Sequence, residues 1–302
     1  MTYLLFAIGI LGLFFGGEYL VRGASSIARR FGISPLVIGL TIVGFGTSAP
    51  ELLVSVNAAL AGQPGISIGN VLGSNIANVL LILGVSATIA ALIIPARRLV
   101  RDLAIMLLGT GMVWVMLLDG VISRLEGGIL VAGLAGFLYL AFASGSVPQE
   151  DDPLETSIGK AALMIVFGLA ALVIGANLLV NSASTMARAF GVSEAVIGLT
   201  VVAVGTSLPE LATSVIAALR RQTDIAVGNV VGSNIFNLLG ILGITALITP
   251  IPAEARFASI DMPWVAATAV GLSVLAVWLG GLPRLAGVML LVIYGGYIAL
   301  MG

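Results

Sequence analysis

The 302-residue sequence contains no cysteine and no histidine. Without thiols there is no disulfide and no thiolate metal site, and without imidazole the usual proton relay and the commonest transition-metal ligand are missing. Charge is scarce too, since Asp, Glu, Lys and Arg together make up 9% of residues. A net charge of −1, with the few basic residues at the ends of apolar runs, offers nothing to a nucleic acid. An intramembrane hydrolase needs a nucleophile with its base, and without His or an Asp pair in the apolar runs that class is disfavoured, so the chain reads as no enzyme.

What is present is apolar. Hydrophobic residues make up 59% of the chain, far above the range of soluble domains, which marks an integral membrane protein. Stretches long enough to cross a bilayer fall near 3–20, 36–60, 67–94, 103–118, 126–145, 161–180, 195–219, 226–249, 263–280 and 286–301. Their length predicts an all-α, polytopic bundle of ten transmembrane helices rather than a barrel, whose segments are about half as long. The first stretch has its positive residues after it, at Arg22, Arg29 and Arg30, and reads as a retained span rather than a signal peptide. Counting the gaps alternately puts ten of the 13 basic residues on one side. That bias predicts both termini outside, with the polar segment GSVPQEDDPLETSIGK at 145–160 in the cytoplasm.

The chain also repeats itself. Shifted by 159 residues, VIGLTIVGFGTSAPELLVSVNAAL meets VIGLTVVAVGTSLPELATSVIAAL, and residues 32–84 match at 33 of 53 positions. Each half holds five expected spans, an odd number, so the second copy must enter the membrane from the opposite side. The domains are therefore predicted as 1–145, a cytoplasmic linker 146–160, and 161–302. Inverted repeats with a site where they meet near the midplane are a transporter architecture.

Two acids lie inside these spans. Glu51 is the only charge between Arg30 and Arg97, and its repeat equivalent Glu210 is the only charge between Glu194 and Arg220. An ionised carboxylate in mid-membrane costs about 3 kcal/mol or more, and no Lys or Arg stands in a core span to offset it. A proton, a metal cation, or the other carboxylate sharing a proton can each fill that role. Pro50 and Pro209 lack the N–H that would bond the carbonyls of Gly46 and Gly205, which frees backbone oxygens beside each Glu. Thr47 and Ser48 share a helix face with Glu51, as Thr206 and Ser207 do with Glu210, and Ser74 with Asn78 and Ser233 with Asn237 are each four apart. All are oxygen donors, which suit hard cations such as Ca²⁺ and Na⁺. Plainer roles compete. Ser and Thr often bond their own helix, a lone Pro often only kinks it, and Gly69 with Gly73, or Gly228 with Gly232, is a helix-packing spacing. Asn70, Asn75, Asn229 and Asn234 either bond helix to helix or complete a cage. Glu18, replaced by Asn177 in the repeat, reads as interfacial.

GTSAPE and GTSLPE, followed by GNVLGSNIAN and GNVVGSNIFN, resemble the α-repeats of the calcium/cation antiporter superfamily, most closely prokaryotic sodium/calcium exchangers. The resemblance covers nearly the whole chain. It implies a multi-pass protein of a prokaryotic plasma membrane that exchanges Na⁺ for Ca²⁺ by alternating access. The ions are bound as substrates, with no cofactor and no obligatory protein partner. Its ligands, carried onto this sequence, are Glu51, Glu210, the hydroxyls or carbonyls of Thr47, Ser48, Thr206 and Ser207, the backbone of Gly44 and Ala203, and Ser74, Asn78, Ser233 and Asn237. It also implies that the first and sixth spans slide against the core. Some relatives, potassium-dependent exchangers among them, carry Asp where this chain has Asn237, which points away from potassium co-transport. Proton-coupled cousins are expected to replace GTSxPE with a GN-type motif, so a proton/calcium exchanger is the runner-up. A channel would need a continuous pore, and a dehydrated two-carboxylate trap holds ions too tightly for fast conduction.

Overall fold

The computed structural model describes residues 1–93, 96–144, 157–190 and 205–301. Ala203, residues 146–156 of the linker and the first part of the expected span 195–219 lie outside the described residues. The helices in chain order are α1 Thr2–Phe31, α2 Pro35–Thr47, α3 Ala49–Leu60, α4 Pro64–Ile89, α5 Ala96–Met116 and α6 Arg124–Ser144, followed by α7 Ile158–Ala189, α8 Leu208–Leu219, α9 Thr223–Ile248, α10 Phe257–Leu279 and α11 Arg284–Met301. Among the described residues seven helices are long and apolar enough to cross a membrane, or eight if α2 and α3, bent by 45° at their junction, form one span. Of the ten expected spans, α8 and α11 are present as shorter apolar helices.

The bundle is built from the inside outward. Of the long helices α4 and α9 are the most enclosed, with 72% and 83% of their apolar windows buried. Leu72, Ile76 and Leu80 of α4 and Val230, Val231 and Leu239 of α9 belong to one continuous core. Both helices carry a π-wound segment, Asn78–Ile82 and Phe236–Ile241, in which the amides of Leu83 and Leu242 reach back five residues to the carbonyls of Asn78 and Asn237. Such widened turns recur at functional sites because they rotate one side chain out of helical register.

Glycine lets α1 and α7 touch backbone to backbone. A methyl group at Gly16 would stand 2.8 Å from the Leu172 amide and 2.9 Å from the Gly168 carbonyl. Gly9 faces Gly175 and Leu179, while Gly23 faces Ala161 and Ile165, so the two helices run antiparallel. Shifted by 159 residues, α1 falls on α7.

Four two-residue strands, which had no signal in the sequence, tie the halves together. β1 (Leu92–Ile93) pairs antiparallel with β4 (Gly281–Leu282), and β2 (Val121–Ile122) with β3 (Ile251–Pro252). In each ladder one strand comes from the first half and one from the second. Exchanging the halves carries one ladder onto the other.

Glu18, expected from sequence to be interfacial, is held by ion pairs. It is buried in α1, where its carboxylate accepts from Arg220 Nε at 2.9 Å and from a second guanidinium nitrogen of the same residue, with Arg22 alongside. Arg220 caps the end of α8, so the pair fastens α1 to the core. Arg220 is about half exposed, and such pairs couple by about 1 kcal/mol or less. A double-mutant cycle of Glu18→Gln and Arg220→Gln on thermal stability is expected to return a coupling of that size. Strict additivity would show that the contact stabilises nothing.

Candidate cation-binding site

The site forms where α3 and α8 begin, at the same point of the repeat. Ser48, between α2 and α3, has φ −84° and ψ 6°, and Ser207, before α8, has φ −89° and ψ 6°. Pro50 and Pro209 follow as the second residues of α3 and α8, where a missing N–H costs no intrahelical bond. Glu51 and Glu210 then fall in the first turns of new helices, whose exposed N–H groups favour negative charge.

Both carboxylates are 1% exposed. Each faces a serine from the other half. The Ser48 hydroxyl donates to Glu210 Oε1 at 2.9 Å, and Ser207 stands against Glu51. The Ser207 hydroxyl also lies 3.4 Å from Ser74 Oγ, on α4. On the opposite side the Ser233 hydroxyl donates to the Gly44 carbonyl at 3.1 Å. That carbonyl, expected as a ligand, also accepts the Ser48 amide at 3.2 Å. Thr47 Oγ1 lies 3.1 Å from both the Val43 carbonyl and Asn229 Oδ1. Its single proton serves one of them at a time. Thr206 is half-buried beside Ser207.

The surrounding polar contacts repeat with the halves. Asn70 Nδ2 donates to the Glu51 carbonyl at 3.2 Å and to Ser55 Oγ at 3.0 Å; Asn229 does the same to Glu210 and Ser214, at 3.2 and 2.9 Å. Asn78 Nδ2 donates to Asn234 Oδ1 at 2.9 Å, and Asn237 Nδ2 to Asn75 Oδ1 at 3.0 Å. Asn70 and Asn229 thus hold the backbone at each acid, bonding helix to helix, the first of the two roles expected for them.

Four oxygens at this junction are buried without a hydrogen-bond partner: Glu51 Oε2, Glu210 Oε2, Asn78 Oδ1 and Asn237 Oδ1. Each half supplies one carboxylate and one amide oxygen, at equivalent positions. Leaving a polar group buried and unpaired costs about 1–3 kcal/mol, more if charged, so a cluster of four acceptors calls for a positive occupant. Among the described residues no Lys or Arg forms an ion pair with either Glu. A second repeat-related pair of acids, Asp102 and Asp261, is different. Asp102 has Arg101 at 2.7 Å and Asp261 has Arg256 at 3.5 Å, so charge is balanced within the protein. The sequence reading passed over this pair.

A profile of the family described as "sodium/calcium exchanger protein" matches residues 1–143 and again 160–302. The chain is 39% identical to the "putative antiporter CaxA" of Alkalimonas amylolytica, over 96% of this chain and 95% of that one. It is 33% identical to the "sodium/calcium exchanger MaX1" of Methanosarcina acetivorans, over 100% and 98%. Among solved structures, the sodium-calcium exchanger NCX_Mj, from crystals soaked with Na⁺ and Ca²⁺, superposes with a TM-score of 0.88 at 34% identity, covering 99% of this chain and 97% of that one. Matched in both halves by the profile and along its whole length by these relatives, the chain belongs to the sodium/calcium exchanger protein family.

Proposed function

We propose that this protein is a secondary active antiporter that exchanges Na⁺ for Ca²⁺ at one shared carboxylate site by alternating access. The observation that carries the reading is the cluster of four orphaned oxygens on Glu51, Glu210, Asn78 and Asn237. Around it, Thr47, Ser48, Ser74, Thr206, Ser207 and Ser233, with the backbone of Gly44, supply further oxygens of the kind hard cations take, and Ala203, outside the described residues, is carried as a ligand by the family resemblance alone. Sodium and calcium come to this chain from the exchangers it resembles, MaX1 and NCX_Mj. Its relatives are transporters, and the ions are substrates rather than cofactors.

Two carboxylates balance one Ca²⁺ or two Na⁺, and any further Na⁺ must be held by dipoles alone. Because the emptied pair of acids is uncompensated, crossing without cargo is disfavoured, which couples the two fluxes. Unequal charge exchange makes transport respond to membrane potential.

The architecture belongs to the same proposal. Ten spans form two inverted five-helix repeats, 1–145 and 161–302, joined by a cytoplasmic linker, with both termini outside. The antiparallel run of α1 and α7 and the exchange of the two strand ladders support it. The close α1–α7 contact suits a pair that slides against the core.

Calcium uptake into proteoliposomes, with sodium, potassium and proton gradients imposed separately, tests the function. Uptake is expected only with sodium on the opposite face. Uptake driven by a pH gradient supports a proton/calcium exchanger instead, and uptake with no counter-ion a channel. Asn237→Asp, which adds a third acid beside the pair, is expected to change ion preference or the pH dependence of flux. An unchanged profile would place Asn237 outside the cage.

A further inference from the structure

Asn78 and Asn237 each carry an oxygen that suits a cation and an amide NH₂ that repels one, so which end faces the cluster decides whether the residue is a ligand. Backbone carbonyls settle this from a distance. Asn75 Nδ2 lies 3.4 Å from the Asn234 carbonyl, and Asn234 Nδ2 lies 3.5 Å from the Asn75 carbonyl. A carbonyl only accepts, so both of these amides must turn their NH₂ groups toward it. Their Oδ1 atoms are then fixed on the opposite edge, where they meet Asn237 Nδ2 at 3.0 Å and Asn78 Nδ2 at 2.9 Å. An amide facing an acceptor must present its NH₂, which leaves Asn78 Oδ1 and Asn237 Oδ1 at the free end. Those two atoms are among the orphaned ones, and all four asparagines are at most 2% exposed.

We propose that Asn75 and Asn234 are positioning residues that fix the orientation of the ligand amides, each acting across the junction on the other half: Asn234 on Asn78, Asn75 on Asn237. Neither touches the ion. They leave two side chains of mixed polarity with their oxygens, rather than their NH₂ groups, free to accept. Inverted, Asn78 would set its oxygen against Asn234 Oδ1 and turn to the free end an NH₂ that repels a cation.

The inference rests on the cation site proposed above, and a cross between neighbours separates the two. Calcium binding to the purified full-length protein is measured by titration calorimetry, alongside half-saturation and maximal rate of uptake in proteoliposomes. Asn234→Leu removes the orienting acceptor and is expected to weaken calcium binding about tenfold, the scale of one lost buried hydrogen bond, and to raise half-saturation without lowering maximal rate in proportion. In the Asn78→Asp background both ends of the neighbour are oxygens, orientation no longer matters, and the carboxylate opposes Asn234 Oδ1. There Asn234→Leu is expected to leave calcium affinity unchanged or to strengthen it. Asn75→Leu against Asn237→Asp should repeat the reversal. An equal loss in both backgrounds, or a fall in maximal rate at unchanged affinity, overturns the positioning role. Where Asn234→Leu does not reach the membrane, Asn234→Ala removes the same amide without added bulk and is held to the same outcomes. Calcium binding that survives Glu51→Gln sinks the site itself, independently of this cross.

Discussion

Glu51→Gln is expected to lower sodium-driven calcium uptake by on the order of a hundredfold or more, about 2.8 kcal/mol at 1.4 kcal/mol per decade, with the protein still inserted in the membrane. The substitution halves the formal charge of the site and places an amide NH₂ where a cation would sit. Glu210→Gln should match it, because the two acids occupy equivalent places, each 1% exposed and each facing a serine of the other half. Stability separates this reading from a structural one. Removing one member of a buried ion pair costs about 3–5 kcal/mol because a charge is left unpaired. Among the described residues no such partner exists, so the ion-free variant should melt no lower than the parent, while calcium should stop raising its melting temperature. Transport at the parental rate would remove Glu51 from the site, and a collapse of ion-free stability would make its role structural.

Gly232→Ala should be the most damaging single-methyl change within the described helices. The added carbon would stand 2.2 Å from the Leu40 carbonyl oxygen and 2.6 Å from its carbon. Both are backbone atoms, which cannot rotate away as a side chain can, so α9 must back off from α2. Overpacking of this kind costs about 1–3 kcal/mol, occasionally more. The same shift pulls Ser233 from the Gly44 carbonyl and Asn229 from Thr47, so calcium affinity should fall along with stability. Gly271→Ala is the control, since a methyl there meets nothing within 4 Å. Thermal unfolding in detergent, with and without calcium, should separate the two variants by several degrees. Equal melting would mean that the α2–α9 contact is looser than described.

The acids were legible because charge in an apolar run is conspicuous and because the repeat named each one's twin. The helix break could be read from GTSAPE and GTSLPE, where a proline follows a threonine–serine pair, and it falls at Ser48 and Ser207. The amide network was not legible. Asn75 and Asn234 could be located, but which way an amide turns depends on acceptors about 160 residues away in sequence. The bond from Glu18 to Arg220 was hidden for the same reason, since Arg220 lies in the other half. Asp102 escaped notice because neighbouring arginines made it look like part of a span end. The two-residue strands are too short to leave a period-2 pattern. The glycines of α1 were visible, but not that they meet those of α7.

In the alternating-access reading proposed above, two halves identical in every residue and related by a two-fold axis would have outward-open and inward-open forms of equal energy. Any resting preference for one side must therefore reside where the halves differ. The acids, serines and asparagines of the site match and contribute nothing to it. The bond between Glu18 and Arg220 has no counterpart, because Asn177 and Ala61 stand in the equivalent places, and the stacked rings of Phe45 and Phe236 correspond to Val204 and Ala77. Such unmatched contacts can set which face the empty carrier shows to the world while leaving ion selectivity untouched, so the two properties are free to be tuned apart.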